Sequence, residues 1–112
     1  MNLNKIKFRV FNKAANRWYY YEIPEDLYRN WSMNFNEDFD WNTMGRFSDH
    51  LDKLGNEIYE GDLIKYELGD GKGEVIYTSG QFLVSADGNY WHYLNSVMDY
   101  LPEVIGNIHR DF

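Results

Sequence analysis

Carboxylates are the residues this chain has most of for doing chemistry. Glu37, Asp38, Asp40, Glu57, Glu60 and Asp62 fall in two runs, and a general acid/base pair drawn from them would need burial to split its two pKa values. Asp38 and Asp40 have the spacing nearest to a divalent-cation ligand pair. The histidines His50, His92 and His109 stand singly, and His50 with Asp52 comes nearest to a metal-binding spacing. With no cysteine in the chain, thiolate zinc sites, disulfides and a cysteine nucleophile are excluded. Ser32, Ser48, Ser79, Ser85 and Ser96 lack the Gly-x-Ser-x-Gly elbow of an activated serine. The run Gly69–Gly73 precedes a predicted strand instead of a helix, so it reads as a hairpin turn and not as a phosphate cradle. The expectation is a protein without cofactor, metal or catalytic machinery.

Binding residues are better represented than catalytic ones. Aromatics make up 19% of the chain, and Trp18, Tyr19, Tyr20, Tyr21, Tyr28, Trp31, Phe35, Phe39, Trp41 and Phe47 crowd its first half. Side chains alternate along a strand, so one face cannot bury Trp18, Tyr19, Tyr20 and Tyr21 together, and some of them must point outward. The surplus rings either form an interface or are covered by residues 24–50. Charge is uneven: residues 1–17 hold Lys5, Lys7, Arg9, Lys13 and Arg17 with no acid, although the whole chain carries a net charge of -7. Lys5, Lys7 and Arg9 alternate with Ile6, Phe8 and Val10, the pattern of a strand with a solvated face. The alternative is a phosphate-binding arm, against which the net negative charge counts.

The elements that must position these residues follow from periodicity and punctuation. With 112 residues the chain is one domain in size, with possible sub-units 1–50 and 51–112. Residues 5–11 and 17–23, separated by Asn12–Asn16, predict an N-terminal hairpin. Pro24-Glu25-Asp26 predicts a short helix over 25–32. Over 33–50, Asn34, Asn36, Asp38, Asp40 and Asn42 interleave with Phe35, Phe39 and Trp41, which predicts an irregular segment with apolar anchors. Beyond Gly55, glycines separate five β-rich runs: Asp62–Leu68, Glu74–Thr78, Gln81–Ser85, Asn89–Tyr93 and Val104–His109. The fold class is therefore mainly β with a minor α part, its second half a small five-stranded SH3-like barrel. The longest apolar stretches run to four or five residues, too short for a membrane span, and no secretory leader is visible, so a cytoplasmic location is expected.

Leu54-Gly55-Asn56-Glu57-Ile58-Tyr59-Glu60-Gly61-Asp62-Leu63-Ile64-Lys65-Tyr66 closely resembles the mid-chain signature of the YopX family of phage and prophage proteins. Lys7-Phe8-Arg9-Val10-Phe11 with Trp18 resembles that family's N-terminal strand, and Glu103-Val104-Ile105-Gly106-Asn107-Ile108 its closing strand. Arg46–Asp52 departs from the usual approach to the signature, and Asn56 stands where Lys is common. The resemblance implies a β-rich viral or prophage protein acting in the cytoplasm of a bacterial host, and it assigns no chemistry to any residue. Glu57, Glu60 and Asp62 read physically as turn-forming and solvated, with a binding surface as the alternative.

The expected function is a non-enzymatic binding module that engages a host or viral macromolecule through an acidic, aromatic-bearing surface made of Trp18, Tyr20, Trp31, Asp38, Asp40, Trp41, Glu57, Glu60 and Asp62. A basic nucleic-acid-binding protein fits best, because rows of carboxylates imitate phosphates. The alternatives are direct nucleic-acid contact through Lys5, Lys7, Arg9, Lys13 and Arg17 with Trp18 stacking, and self-association through the N-terminal hairpin into a homo-oligomer.

Overall fold

Asn12 shapes the first hairpin: its Oδ1 accepts the Ala15 N–H at 2.8 Å, and Asn16 takes a left-handed φ of 55°, which asparagine tolerates better than most residues. In the computed structural model, which describes residues 6–23, 38–68, 71–86 and 90–109, β1 (Ile6–Asn12) and β2 (Arg17–Ile23) flank this turn. Their antiparallel register is unbroken from Ile6↔Ile23 to Asn12↔Arg17. β3 (Phe39–Leu51) pairs along the other side of β1, which makes β1 the central strand of the three.

The chain divides into two compact units, 1–47 and 48–112. In the first, the β1–β3 register slips between Arg9 and Phe11. Thr43 repairs the gap: its Oγ1 accepts the Phe11 N–H at 2.9 Å and donates to the Asp40 carbonyl at 2.6 Å. A side chain thus stands in for the missing ladder bond, as a buried N–H requires. The irregular segment expected through residue 50 is corrected by this strand over 39–50. Alternating Asn and Asp conceal a strand in the sequence, but once β1 supplies the ladder their turn preference is overridden. The helix expected over 25–32 lies outside the described residues, as do Lys5, Trp31 and Glu37.

A second correction concerns Arg9. Phe8, Arg9, Val10, Phe11 and Asn12 are all buried, so the centre of β1 has no solvated face, and Arg9 is only 4% exposed. Its guanidinium lies 4.2 Å from the Trp18 ring centroid, a contact that suits a cation held out of water. On the opposite face Phe39 meets Tyr19 edge-on at 5.4 Å and Tyr21 at 6.4 Å, while Phe8 lies 5.6 Å from Tyr21.

In the second unit β4 (Glu57–Tyr59) is followed by β5 (Asp62–Lys65), β6 (Lys72–Thr78), β7 (Gln81–Ala86), β8 (Tyr90–Tyr93) and β9 (Glu103–Asn107). The last five are antiparallel neighbours in the order β8-β7-β6-β5-β9. All five strands expected beyond residue 61 are present, but β8 and β9 end the order, so the sheet is open and the expected barrel does not close. Ser79 and Gly80 both take positive φ, 52° and 78°, the geometry that matches a two-residue turn to strand twist. Ile58, Ile64, Tyr66, Val75 and Val84 form the core with Leu94 and Val97, the last two from a four-residue helix, Leu94–Val97. Burying one such aliphatic side chain is worth about 1.5–3 kcal/mol.

Gly73 sits where the sheet leaves no room for a side chain: a Cβ there would meet Val84 Cγ1 at 2.6 Å and the Ser85 carbonyl oxygen at 2.8 Å. Gly73→Ala is expected to lower stability by about 1–3 kcal/mol through overpacking, read as a drop in the urea midpoint at unchanged slope.

Candidate functional site

The signature run is built around one turn and one carboxylate. Gly61 takes φ 93°, donates its N–H to the Val75 carbonyl at 2.8 Å and accepts the Ile108 N–H at 2.9 Å. Asp62 follows with no exposure at all. Its Oδ2 accepts the Tyr59 N–H at 2.7 Å and its Oδ1 accepts from Asn107 Nδ2 at 3.2 Å. Asn107 Oδ1 in turn accepts the His109 N–H at 2.8 Å. The solvated turn expected at Asp62 is therefore corrected: the carboxylate is buried because it closes the Tyr59–Asp62 turn from within. It also joins β5 to β9, which pair from Asp62↔Asn107 to Lys65↔Glu103. Signature and closing strand, 45 residues apart at this bond, are neighbours in one sheet.

Asp52 does the same for the turn before β4. Its Oδ1 accepts the N–H groups of Leu54 and Asn56 at 2.9 and 2.8 Å. Its Oδ2 accepts the Val104 N–H at 2.9 Å and Asn56 Nδ2 at 3.4 Å. Burial pushes this carboxyl's pKa up, but the hydrogen bonds from Val104, Asn56 and Leu54 outweigh it, and the pKa falls below the ordinary 3.8. Sequence reasoning considered Asp52 only beside His50. The signal it missed is Asp-x-Leu-Gly-Asn over 52–56, an aspartate whose side chain bonds the backbone two residues on.

The remaining candidates divide by unit. In the first, the β1–β2 register puts Trp18 and Tyr20 on one face with Lys7, Arg9 and Phe11. Tyr20 is 50% exposed and Trp18 is half-buried. Lys7 Nζ lies 5.8 Å from the Tyr20 centroid and 5.4 Å from that of Phe47. Lys13 and Arg17 are exposed, with the Arg17 guanidinium 5.0 Å from the Tyr19 ring. Asp38 is exposed and Asp40 half-buried, its Oδ1 accepting the Asn42 N–H at 3.2 Å. Trp41 lies against Phe39, with centroids 5.6 Å apart. In the second unit, Glu57 and Glu60 are half-buried, and Glu57 Oε1 accepts from the Tyr59 hydroxyl at 2.9 Å.

Charge divides the same way. Residues 1–47 carry seven bases and six acids, whereas residues 48–112 carry four bases and twelve acids, so their nets are +1 and -8 and together give the -7 of the chain. An open groove of about 420 Å³ on the sheet of the second unit is lined by Leu63, Ile64, Lys72, Gly73, Glu74, Ser85 and Ile105; one carboxylate and one ammonium there offer no acid/base pair. Among the described residues no three His, Asp or Glu side chains gather as metal ligands, and no helix is long and apolar enough to cross a membrane.

Asp52→Asn keeps the size of the side chain and loses the charge. It is expected to cost about 1–3 kcal/mol at neutral pH, the range for hydrogen bonds to a charged group. The folded-state pKa is depressed, so this stabilisation is complete above the unfolded value and lost as pH falls through the folded one. Urea titrations at pH 7 and pH 2 should show the gap between the two proteins closing in acid; an equal gap at both would remove the charge from the explanation.

No curated protein matches the chain. The family described as YopX protein matches residues 7–111, which takes in all of β1 but Ile6, the signature run and the whole of β9. Its reach over nearly all of the sequence shows that the chain belongs to the YopX family.

Proposed function

We propose that this protein is a non-enzymatic phage or prophage binding module, acting in the cytoplasm of a bacterial host, that engages a host or viral protein carrying a basic surface. The observation that carries the reading is the partition of charge, a net of -8 on residues 48–112 against +1 on residues 1–47. Asp49, Glu67 and Asp99 are exposed acids of that unit. Carboxylates of one sign steer a basic partner during encounter and repel phosphate backbones. The half-exposed rings of the first unit, Tyr20 above all, supply residue types enriched in interface hot spots. A nucleic-acid-binding protein is the partner class of best fit, since its groove already accepts a row of negative charges.

Direct nucleic-acid binding by the basic strand is the weaker reading. Arg9 is buried against Trp18, so its guanidinium does not project as a phosphate contact does, and the Lys7 ammonium lies within 6 Å of the Tyr20 and Phe47 ring centroids.

The test is capture by the tagged full-length chain from bacterial lysate, with and without nuclease, followed by a salt step. The expected partner is indifferent to nuclease and released by salt, with affinity falling steeply as the Debye length shortens. The triple variant Asp49→Asn, Glu67→Gln, Asp99→Asn should weaken it several-fold while the fold persists, Asn being suited to the left-handed φ of 66° at position 49. A partner held equally at high salt, or recovered only as nucleic acid, contradicts the proposal.

A further inference from the structure

Three connections of the second unit meet where β5 finishes and β9 begins. Lys53 donates its N–H to the Pro102 carbonyl at 2.9 Å, Glu67 donates to the Tyr100 carbonyl at 2.7 Å, and the Val104 N–H goes to the Asp52 carboxylate. The turn before β4, the residues after β5 and the stretch before β9 are thereby tied side by side. From them Leu54 and Leu101 stand out 66% and 53% exposed, and Tyr100 is exposed as well. Single apolar residues at a surface are ordinary, but several brought to one place by converging segments are a feature of contact surfaces. Leu101 carries a second sign. It ends the 3₁₀ turn Met98–Tyr100 at φ 51° and ψ 60°, the left-handed conformation in which helices finish on glycine or asparagine because a larger side chain is crowded there. A leucine held in that strain and left half in water is explained neither by backbone preference nor by core packing, and strain of this kind gathers at functional surfaces.

The charges beside these residues select what would cover them. Glu67 and Asp99 are exposed acids, one bonded through its N–H to Tyr100 and the other preceding it in the chain. The neighbouring bases both adjoin a third acid: Lys53 Nζ lies 3.3 Å from Glu103 Oε1, and Lys65 is the cross-strand partner of Glu103. We propose that Leu54, Tyr100 and Leu101 are the apolar anchor of the acidic unit, and that they receive a basic amphipathic segment of a protein partner. Its apolar side chains would cover Leu54 and Leu101, and its lysines or arginines would meet Glu67 and Asp99. The inference rests on the binding function proposed above and names the part of the surface that holds the partner once charge has steered it there. An amphipathic helix laid on a complementary apolar surface is one of the recurring modes of peptide recognition.

The probe is a labelled helical peptide of leucine and lysine, beside a control in which serine replaces every leucine and the charge is unchanged. Fluorescence anisotropy with the full chain should give the leucine peptide an affinity several-fold above that of the serine peptide. Amide shifts followed by NMR during the titration should centre on Leu54, Glu67, Tyr100 and Leu101. Leu101→Gly should weaken the leucine peptide several-fold while the thermal melt holds, since glycine relieves the left-handed backbone; Leu54→Ser, at the more exposed position, should weaken it as well. Equal binding of the two peptides overturns the proposal, and so do shifts centred elsewhere. A Leu101→Gly melt well below the parent's also overturns it, by making Leu101 a packing residue. The two proposals fail separately. If the triple variant Asp49→Asn, Glu67→Gln, Asp99→Asn weakens neither peptide, the acidic reading falls; if Leu101→Gly and Leu54→Ser leave the leucine peptide unchanged, the anchor falls and the acidic reading stands.

Discussion

Two carboxylates hold the second unit together by accepting N–H groups from a neighbouring turn and from β9. Asp62 takes the Tyr59 N–H and the Asn107 side chain, and Asp52 takes the N–H groups of Leu54, Asn56 and Val104. Each therefore fixes a tight turn and ties it to β9, the strand that arrives last in the chain. A neutral acceptor of the same shape supplies weaker bonds, since a charged oxygen strengthens every N–H it meets. An apolar residue at 62 would leave the buried Tyr59 N–H stranded, at the cost of an unmade hydrogen bond.

From this constraint follows the arrangement of the family signature. Its glycine and aspartate at 61–62 are the corner from which β5 starts, and the closing strand lies against β5 because Asn107 meets Asp62 there. Ile58 and Ile64, on either side of that corner, are delivered to the core with Val75 and Val84. The signature is thus accounted for by architecture. The function proposed for the protein draws on what surrounds it: acids left at the surface once Asp52 and Asp62 have been taken inside.

How far the sequence discloses this depends on whether the information is local. Short β-rich runs between glycines locate β5 to β9 within a few residues, and Ser79-Gly80 announces its own turn, because each is decided by neighbours in the chain. The ends are less local: β5 stops at Lys65 instead of continuing to Leu68, the Tyr66 N–H making one more bond across the hairpin to the Gly71 carbonyl. Arg9 is misjudged by alternation, which supposes one covered face, whereas a central strand has two. β3 is hidden by its asparagines and aspartates and appears only once β1 lies beside it. Asp62 reads as a solvated turn residue, and Asp52 as an unremarkable acid, because their N–H partners include groups on β9, far along the chain.

The central claim is that Asp62 is an internal acceptor and not a surface charge, and equilibrium urea unfolding of Asp62→Asn beside Glu60→Gln tests it most directly. Both changes remove one negative charge from the same four-residue stretch, so long-range electrostatics shift alike. Asparagine at 62 must present an NH₂ to one of its two donors, which should cost about 1–3 kcal/mol, whereas Glu60→Gln should stay within about 0.5 kcal/mol of the parent. Equal stability of the two variants would contradict the account.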